Sequence, residues 1–262
     1  MKIGFIGVGN MGFALLKGIL NSNFVKPENI IIYDSAIEKS NAIKEEFKIN
    51  VADNNINLVQ EADVIILAIK PNIYDLILKE IKGVLNPNKL IITIAPGITI
   101  EHVKSIIKAG KVIRTIPNTP ALIGEGITAI AYSDDTKEED KEIARKIFRT
   151  CGEIVELNES LIDAAMAVSS CSPAFTYMFI EALSDAGVAL GLPRDIAYKL
   201  SSKALSGSGN MVLKTGLHPG QLKDMVTSPG GTTIQGVRIL EKQGMRSAVI
   251  EAVISSYQKA KE

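Results

Sequence analysis

The chain has no tryptophan, two cysteines and two histidines in 262 residues, and its 29 basic residues are matched by 29 acidic ones. Each scarcity removes a class of function. Cys151 and Cys171 lie far from any C-x-x-C spacing, and with His102 and His218 they are too few for a typical zinc cluster, so no metal is expected. Cys171 sits in the polar run Ser169-Ser170-Cys171-Ser172, but no histidine is close in sequence to activate it, and a packed thiol is the expectation. Balanced charge leaves no footprint for a nucleic acid or an anionic membrane. No apolar run reaches the roughly 20 residues of a membrane span, and the first residues form a core strand rather than a cleavable leader. A cytoplasmic protein without nucleic-acid or membrane partners is expected.

Glycine, by contrast, is concentrated in two telling places. Lys2-Ile3-Gly4-Phe5-Ile6 reads as a short apolar strand, Gly7-Val8-Gly9-Asn10-Met11-Gly12 follows it, and Phe13 to Leu20 continues at helical spacing. Strand, glycine turn and helix in that order form a dinucleotide site. Gly7 makes the turn, Gly9 admits the pyrophosphate to the backbone, and Gly12 lets the helix pack on the strand. A second apolar strand, Ile30 to Tyr33, ends in Asp34, near the expected distance of about 20 residues. The other place is Ser228-Pro229-Gly230-Gly231-Thr232-Thr233, followed by the helical pattern Ile234, Val237, Leu240. There two glycines turn the backbone and two hydroxyls enter a first helical turn whose amides are unpaired, which is a seat for an anion. A plain serine-capped helix start is the simpler alternative.

The chain divides into two halves, 1–157 and 158–262. Strands are predicted at 2–6, 30–33, 48–51, 63–69, 90–95, 111–115, 127–132 and 153–157, alternating with helical segments, as in a mostly parallel sheet with crossover helices. Val64 to Ile69 and Leu90 to Ala95 are nearly continuous apolar runs, as strands covered on both faces should be. Loops at the carboxyl ends of such strands build a ligand crevice, which picks out Lys70-Pro71-Asn72, Pro96-Gly97 and Arg114 to Pro120. Beyond residue 158 the strand signal stops. Ser172-Pro173 opens an apolar helix to Leu190, Pro193 opens another that ends at Gly216, a short segment at 219–226 precedes the glycine pair, and helices follow at 232–243 and from 245 onward. The first of these is so rich in Ala, Leu, Met and Phe that this half is expected to bury a subunit interface.

These residues resemble the pyrroline-5-carboxylate reductase family over nearly the whole chain. The likeness is carried by Gly7 to Gly12, by Ala68-Ile69-Lys70-Pro71, by the Arg114 to Pro120 loop, by Gly191-Leu192-Pro193-Arg194, by His218-Pro219-Gly220-Gln221-Leu222-Lys223-Asp224 and most specifically by Ser228 to Thr233. The resemblance implies an α/β fold, with an N-terminal Rossmann-like, mostly parallel sheet and a C-terminal all-helical dimerisation domain. It implies a homodimer or ring of dimers, NADPH or NADH as hydride donor, and reduction of 1-pyrroline-5-carboxylate to L-proline. On matching positions the substrate carboxylate falls to Ser228, Gly230, Gly231, Thr232 and Thr233, with the Thr233 hydroxyl as the catalytic group reaching the ring nitrogen. The cofactor falls to Ile6, Gly7, Val8, Gly9, Asn10, Met11, Gly12, Asp34, Ser35, Asn55, Ala68, Ile69, Lys70, Pro71, Ala95, Pro96 and Asn118.

The chemistry fits the shortage of acids and bases. A protonated cyclic imine already accepts hydride, whereas a ketone or hydroxy-acid dehydrogenase needs a proton-handling His or Lys, and none occurs from Pro173 through Leu190. Asp34 favours the 2′-hydroxyl of NADH, while Ser35 and Lys39 suit a phosphate, and both cofactors stay open. The chain departs from the family pattern at Ser170 and Ser172, where glycines are usual, at Lys203-Ala204, where Gln-Thr is common, and at Pro96, where alanine is usual. These departures put the local backbone in question. A non-catalytic dinucleotide-binding relative, or a reductase of another small imino or carboxylic acid, are the alternative readings.

Overall fold

In the computed structural model, which describes residues 1–261, the first half of the chain alternates strands and helices. These are β1 (Ile3–Ile6), α1 (Asn10–Asn21), β2 (Ile30–Tyr33), α2 (Ile37–Phe47), β3 (Asn50–Val51), α3 (Asn55–Glu61), β4 (Val64–Leu67) and α4 (Tyr74–Ile81). Then come β5 (Leu90–Thr93), α5 (Ile100–Ile107), β6 (Lys111–Ile116), β7 (Gly126–Tyr132), α6 (Glu138–Arg149), β8 (Gly152–Glu156) and α7 (Ile162–Ser169). The sheet order is β3-β2-β1-β4-β5-β6-β7-β8, parallel throughout except where β6 meets β7. From β1 the chain builds outward through β2 and β3, then returns to lay β4 on the other side. The carboxyl ends of β1 and β4 therefore flank the point where the winding reverses, the usual ligand crevice of an open α/β sheet.

The apolar runs become central strands because successive side chains point to opposite faces and both faces are covered. Val64 and Ile66 join a cluster with Leu15, Ile19 and Phe148, while Ile65 and Leu67 join another with Leu58, Tyr74 and Val103. Each such side chain contributes roughly 1.5–3 kcal/mol by leaving water. Strand edges differ from the sequence reading for local reasons. The predicted 48–51 strand shrinks to Asn50–Val51 because Lys48, at φ 56°, ends α2 in the left-handed conformation. Residues 68–69 leave the sheet after Leu67. On the other face, α1 lies so close to the α6–β8 junction that a Cβ on Gly18 would collide with the Sγ of Cys151.

The second half is helical: α8 (Ser172–Ala189), α9 (Arg194–Thr215), α10 (Pro219–Met225), α11 (Thr232–Lys242) and α12 (Met245–Ala260). Pro173 falls in the first turn of α8 and Pro193 precedes α9, one residue from the predicted starts, as the missing amide hydrogen of proline allows. Ser184 and Ser201, both buried, hydrogen-bond across the α8–α9 contact at 3.1 Å. Large apolar side chains on these helices, among them Tyr177, Met178 and Leu183, are exposed in the single chain.

The chain forms two compact units, one of residues 1–170 with the end of α12 from Tyr257, the other Cys171–Ser256. The sheet unit thus runs past residue 157, where the strand pattern stops. Ile162, Met166 and Ala167 of α7 bury on the sheet, and the buried Arg114 guanidinium pairs with Glu159 and Asp163. Arg114, read from sequence as part of a rim loop, is an internal anchor. Among the described residues no helix is long and apolar enough to cross a membrane.

Candidate active site

The β1–α1 turn is held from both sides. Gly7 has φ 88°, where a side chain would be strained, and a Cβ there would stand 2.6 Å from the Ala68 carbonyl oxygen. Its N–H donates to the Tyr33 carbonyl at 2.8 Å, and the next N–H, of Val8, donates to Asp34 Oδ2 at 2.8 Å. A Cβ on Gly12 would meet both the Gly7 carbonyl oxygen and the Ala68 Cβ at 2.8 Å, so α1 packs close only as glycine allows. Gly9 caps α1 without a side-chain bond, which leaves the amides of the first turn, from Asn10, Met11 and Gly12, facing outward.

Beside this turn lies a cavity of about 380 Å³. Of the predicted cofactor residues, Ile6, Gly7, Gly9, Asp34, Ser35, Asn55, Ala68, Ile69 and Lys70 line it together. Val8, Asn10, Met11, Gly12, Pro71, Ala95, Pro96 and Asn118 do not. Tyr33, Ile73 and Ile77 complete the wall and were missed. No motif marks them: Ile73 stands just before α4 and Ile77 lies within it. A larger concavity of about 910 Å³, lined by Lys104, Tyr132, Lys141 and Glu159 among others, contains none of the predicted residues.

Two features show how this cavity suits a dinucleotide. The space a Gly9 side chain would fill is open to beyond 4 Å. The Oδ1 of Asn55 is buried without a hydrogen-bond partner, while its Nδ2 donates to Glu80 Oε2 at 2.9 Å, so a hydroxyl-bearing group would satisfy an acceptor now orphaned. The wall after β4 is itself braced: the Tyr74 hydroxyl donates to the Leu67 carbonyl at 2.7 Å, and burial pushes this phenol well above its ordinary range.

Asn118 is spent on the fold, accepting from the Ile127 N–H and donating to the Ser169 carbonyl, each at 3.0 Å. The two serines in place of glycine are tolerated. Ser170 has φ −100°, which any residue adopts, and its hydroxyl donates to the Pro117 carbonyl at 3.2 Å; Ser172 simply opens α8. Nothing in the structure explains Lys203-Ala204.

In the helical unit the candidate anion seat is approached through α10. His218 Nδ1 accepts from the Gly220 N–H at 3.0 Å and Gln221 Oε1 accepts from the His218 N–H at 3.1 Å, a reciprocal cap that starts α10. At its end the Thr227 hydroxyl donates to the Lys223 carbonyl at 2.5 Å, which fixes the chain just before Ser228. Gly230 then turns at φ 69°, and the Gly231 N–H donates to the Ser228 carbonyl at 3.1 Å. The Ser228 Oγ lies 2.5 Å from where a Gly231 Cβ would stand, so the hydroxyl overhangs the helix start. Gly231 caps α11 with no side-chain bond. Ser228, Thr232 and Thr233 are exposed. The result is an open, positive helix end ringed by three hydroxyls, the arrangement a carboxylate binds.

Residues 159–262 match the family description "Pyrroline-5-carboxylate reductase dimerisation", and residues 2–97 match "NADP oxidoreductase coenzyme F420-dependent". The chain is 44% identical to the pyrroline-5-carboxylate reductase of Escherichia coli strain K12, covering 100% of this chain and 97% of that one. To the enzyme of Arabidopsis thaliana it is 37% identical, covering 100% and 95%. The crystal structure of Plasmodium falciparum pyrroline carboxylate reductase with NADP bound superposes with a TM-score of 0.91 at 37% identity, covering 100% of this chain and 97% of that one. A pyrroline-5-carboxylate reductase from Coxiella burnetii gives 0.92 at 30%, covering 99% and 97%. Similarity at this level covers both units, and the chain belongs to the pyrroline-5-carboxylate reductase family.

Proposed function

We propose that this protein reduces 1-pyrroline-5-carboxylate to L-proline with NAD(P)H, the final step of proline biosynthesis. One observation carries the reading: the uncapped, exposed start of α11, overhung by Ser228, in a chain that matches these reductases from end to end. The substrate carboxylate is held by the amides of Gly231, Thr232 and Thr233 and by the Ser228 hydroxyl, with Gly230 supplying the turn. When bound, the reduced nicotinamide supplies a hydride to the imine carbon. Ile6 to Gly12, Asp34, Ser35, Asn55 and Ala68 to Pro71 would hold that cofactor, with Ala95, Pro96 and the backbone of Asn118 at the rim.

The Thr233 hydroxyl hydrogen-bonds the ring nitrogen and fixes which face of the ring is presented. Because the imine reacts protonated, the nitrogen ends as a neutral amine when the carbon receives its electron pair. No protein acid has to be consumed, which supports a reductase whose seat offers hydroxyls and amides alone. The catalytic group is a hydrogen-bonding one.

In this reading the sheet unit, 1–170, is the dinucleotide-binding domain, and the helical unit from Cys171 is the substrate-binding and dimerisation domain. The protein is a homo-oligomer, as dimers or a ring of dimers. Its place is the cytoplasm, consistent with two free cysteines. Purified protein is expected to oxidise NADPH or NADH when given the imine, and to reduce the oxidised cofactor with L-proline at alkaline pH. Rates at the no-enzyme blank with both cofactors in both directions would sink the assignment.

A further inference from the structure

Asp34 has a second use that its position in sequence does not announce. At the end of an inner strand beside a glycine turn, an aspartate is expected to meet a ribose hydroxyl. Here both carboxylate oxygens already accept from the backbone: Oδ2 from the Val8 N–H at 2.8 Å, Oδ1 from the Ala36 N–H at 3.0 Å. With the Gly7 N–H donating to the Tyr33 carbonyl at 2.8 Å, two successive amides of the turn are tied to the end of β2. Hydrogen bonds to an ionised acceptor are the stronger kind. They hold the turn in the one shape that leaves Gly9 open and the first-turn amides of α1 outward.

We propose that Asp34 is a positioning residue that preforms the glycine turn through the Val8 amide, and that this role serves NADH and NADPH alike. The proposal rests on the reading of this turn as the cofactor seat. A preformed turn spares the bound state an ordering cost, and that saving does not depend on what the distal ribose carries. The same cavity holds the Ser35 hydroxyl and the Lys70 ammonium, neither with a partner among the described residues, so its free polar groups at that end can donate to a hydroxyl or a phosphate.

The test is cofactor titration by fluorescence on full-length Asp34→Ala and Asp34→Asn, with steady-state kinetics at saturating cofactor. Asp34→Ala is expected to raise the Kd of NADH and of NADPH by the same factor, about tenfold or more, with the imine KM unchanged. Asp34→Asn, whose carbonyl still accepts from Val8, is expected to recover most of the loss. Asp34→Ala that weakens NADH while tightening NADPH, or that leaves both as in the wild type, overturns the proposal. Should Asp34→Ala fail to fold, Asp34→Asn decides: a swing in cofactor preference overturns it, and a parallel smaller loss supports it. Gly12→Val separates the two readings. If Gly12→Val abolishes binding and the Asp34 variants do not change it, only the role of Asp34 falls; if Gly12→Val binds normally, the cofactor seat itself is misplaced.

Discussion

Every residue of β1, β4 and β5 is buried within the single chain, whereas α11 and α12 bury none and α8 buries Ser184 alone. The two halves are apolar to a similar fraction and use it to different ends. The sheet has helices on both faces, so its side chains find partners in their own chain. The helices leave Tyr177 at 58% and Met178 at 69% exposure, more apolar surface than a lone protein usually keeps, and their stability is tied to association. One half folds for itself and the other for a second copy.

The largest test of that contrast is Met178→Glu. A charge placed on the apolar face of α8, twice in a symmetric dimer, is expected to leave monomers in analytical ultracentrifugation and to remove the concentration dependence of the melting temperature. Cofactor binding by the sheet half should persist; retained dimers would erase the distinction drawn here. In the sheet half the corresponding break is internal. Arg114→Met takes the buried cation from Asp163 and leaves Glu159 only the Ile100 N–H, and is expected to cost about 2–3 kcal/mol in denaturant unfolding, without changing oligomer size.

Smaller effects separate the roles at the seat. Thr233→Ala should lower kcat by about 10- to 100-fold with little change in cofactor KM, while Ser228→Ala should raise the imine KM about tenfold. Unchanged kinetics in both variants would remove the seat from α11. The smallest effect is electrostatic. The Arg145 guanidinium holds the Glu156 carboxyl below the usual carboxylate range, so that its contribution to stability is present at neutral pH. It is lost as pH falls from the ordinary value of about 4.3 through the lowered one. Melting curves across that acid range should fall more steeply for the wild type than for Glu156→Gln.

Much of the fold was legible because it is written in short-range patterns. Continuous runs such as Val64 to Leu67 can only be strands covered on both faces, and Gly7, Gly9 and Gly12 have spacings that few other turns need. The helix start at Gly231 to Thr233 was legible for the same reason. What stayed hidden depends on where side chains point once the chain has folded. Arg114 looked like a loop residue but turns inward to Glu159 and Asp163, and Asn118 spends its amide on Ile127 and Ser169. Tyr33, Ile73 and Ile77 are ordinary apolar residues that become a cavity wall only once the end of β2 and the segment around the start of α4 face the same cavity. The sheet unit outruns residue 157 because α7 carries no strand signal and is drawn in by its buried face.

The close approach of Gly18 to Cys151 has a chemical corollary. Burial pushes this thiol up, so little of it ionises at neutral pH and peroxide has little thiolate to attack. Were an oxygen atom nevertheless added to that sulfur, it would find the space already taken by α1, and the helix that starts at the glycine turn would have to move. At Cys151 the fold therefore leaves an oxidant little room and little thiolate.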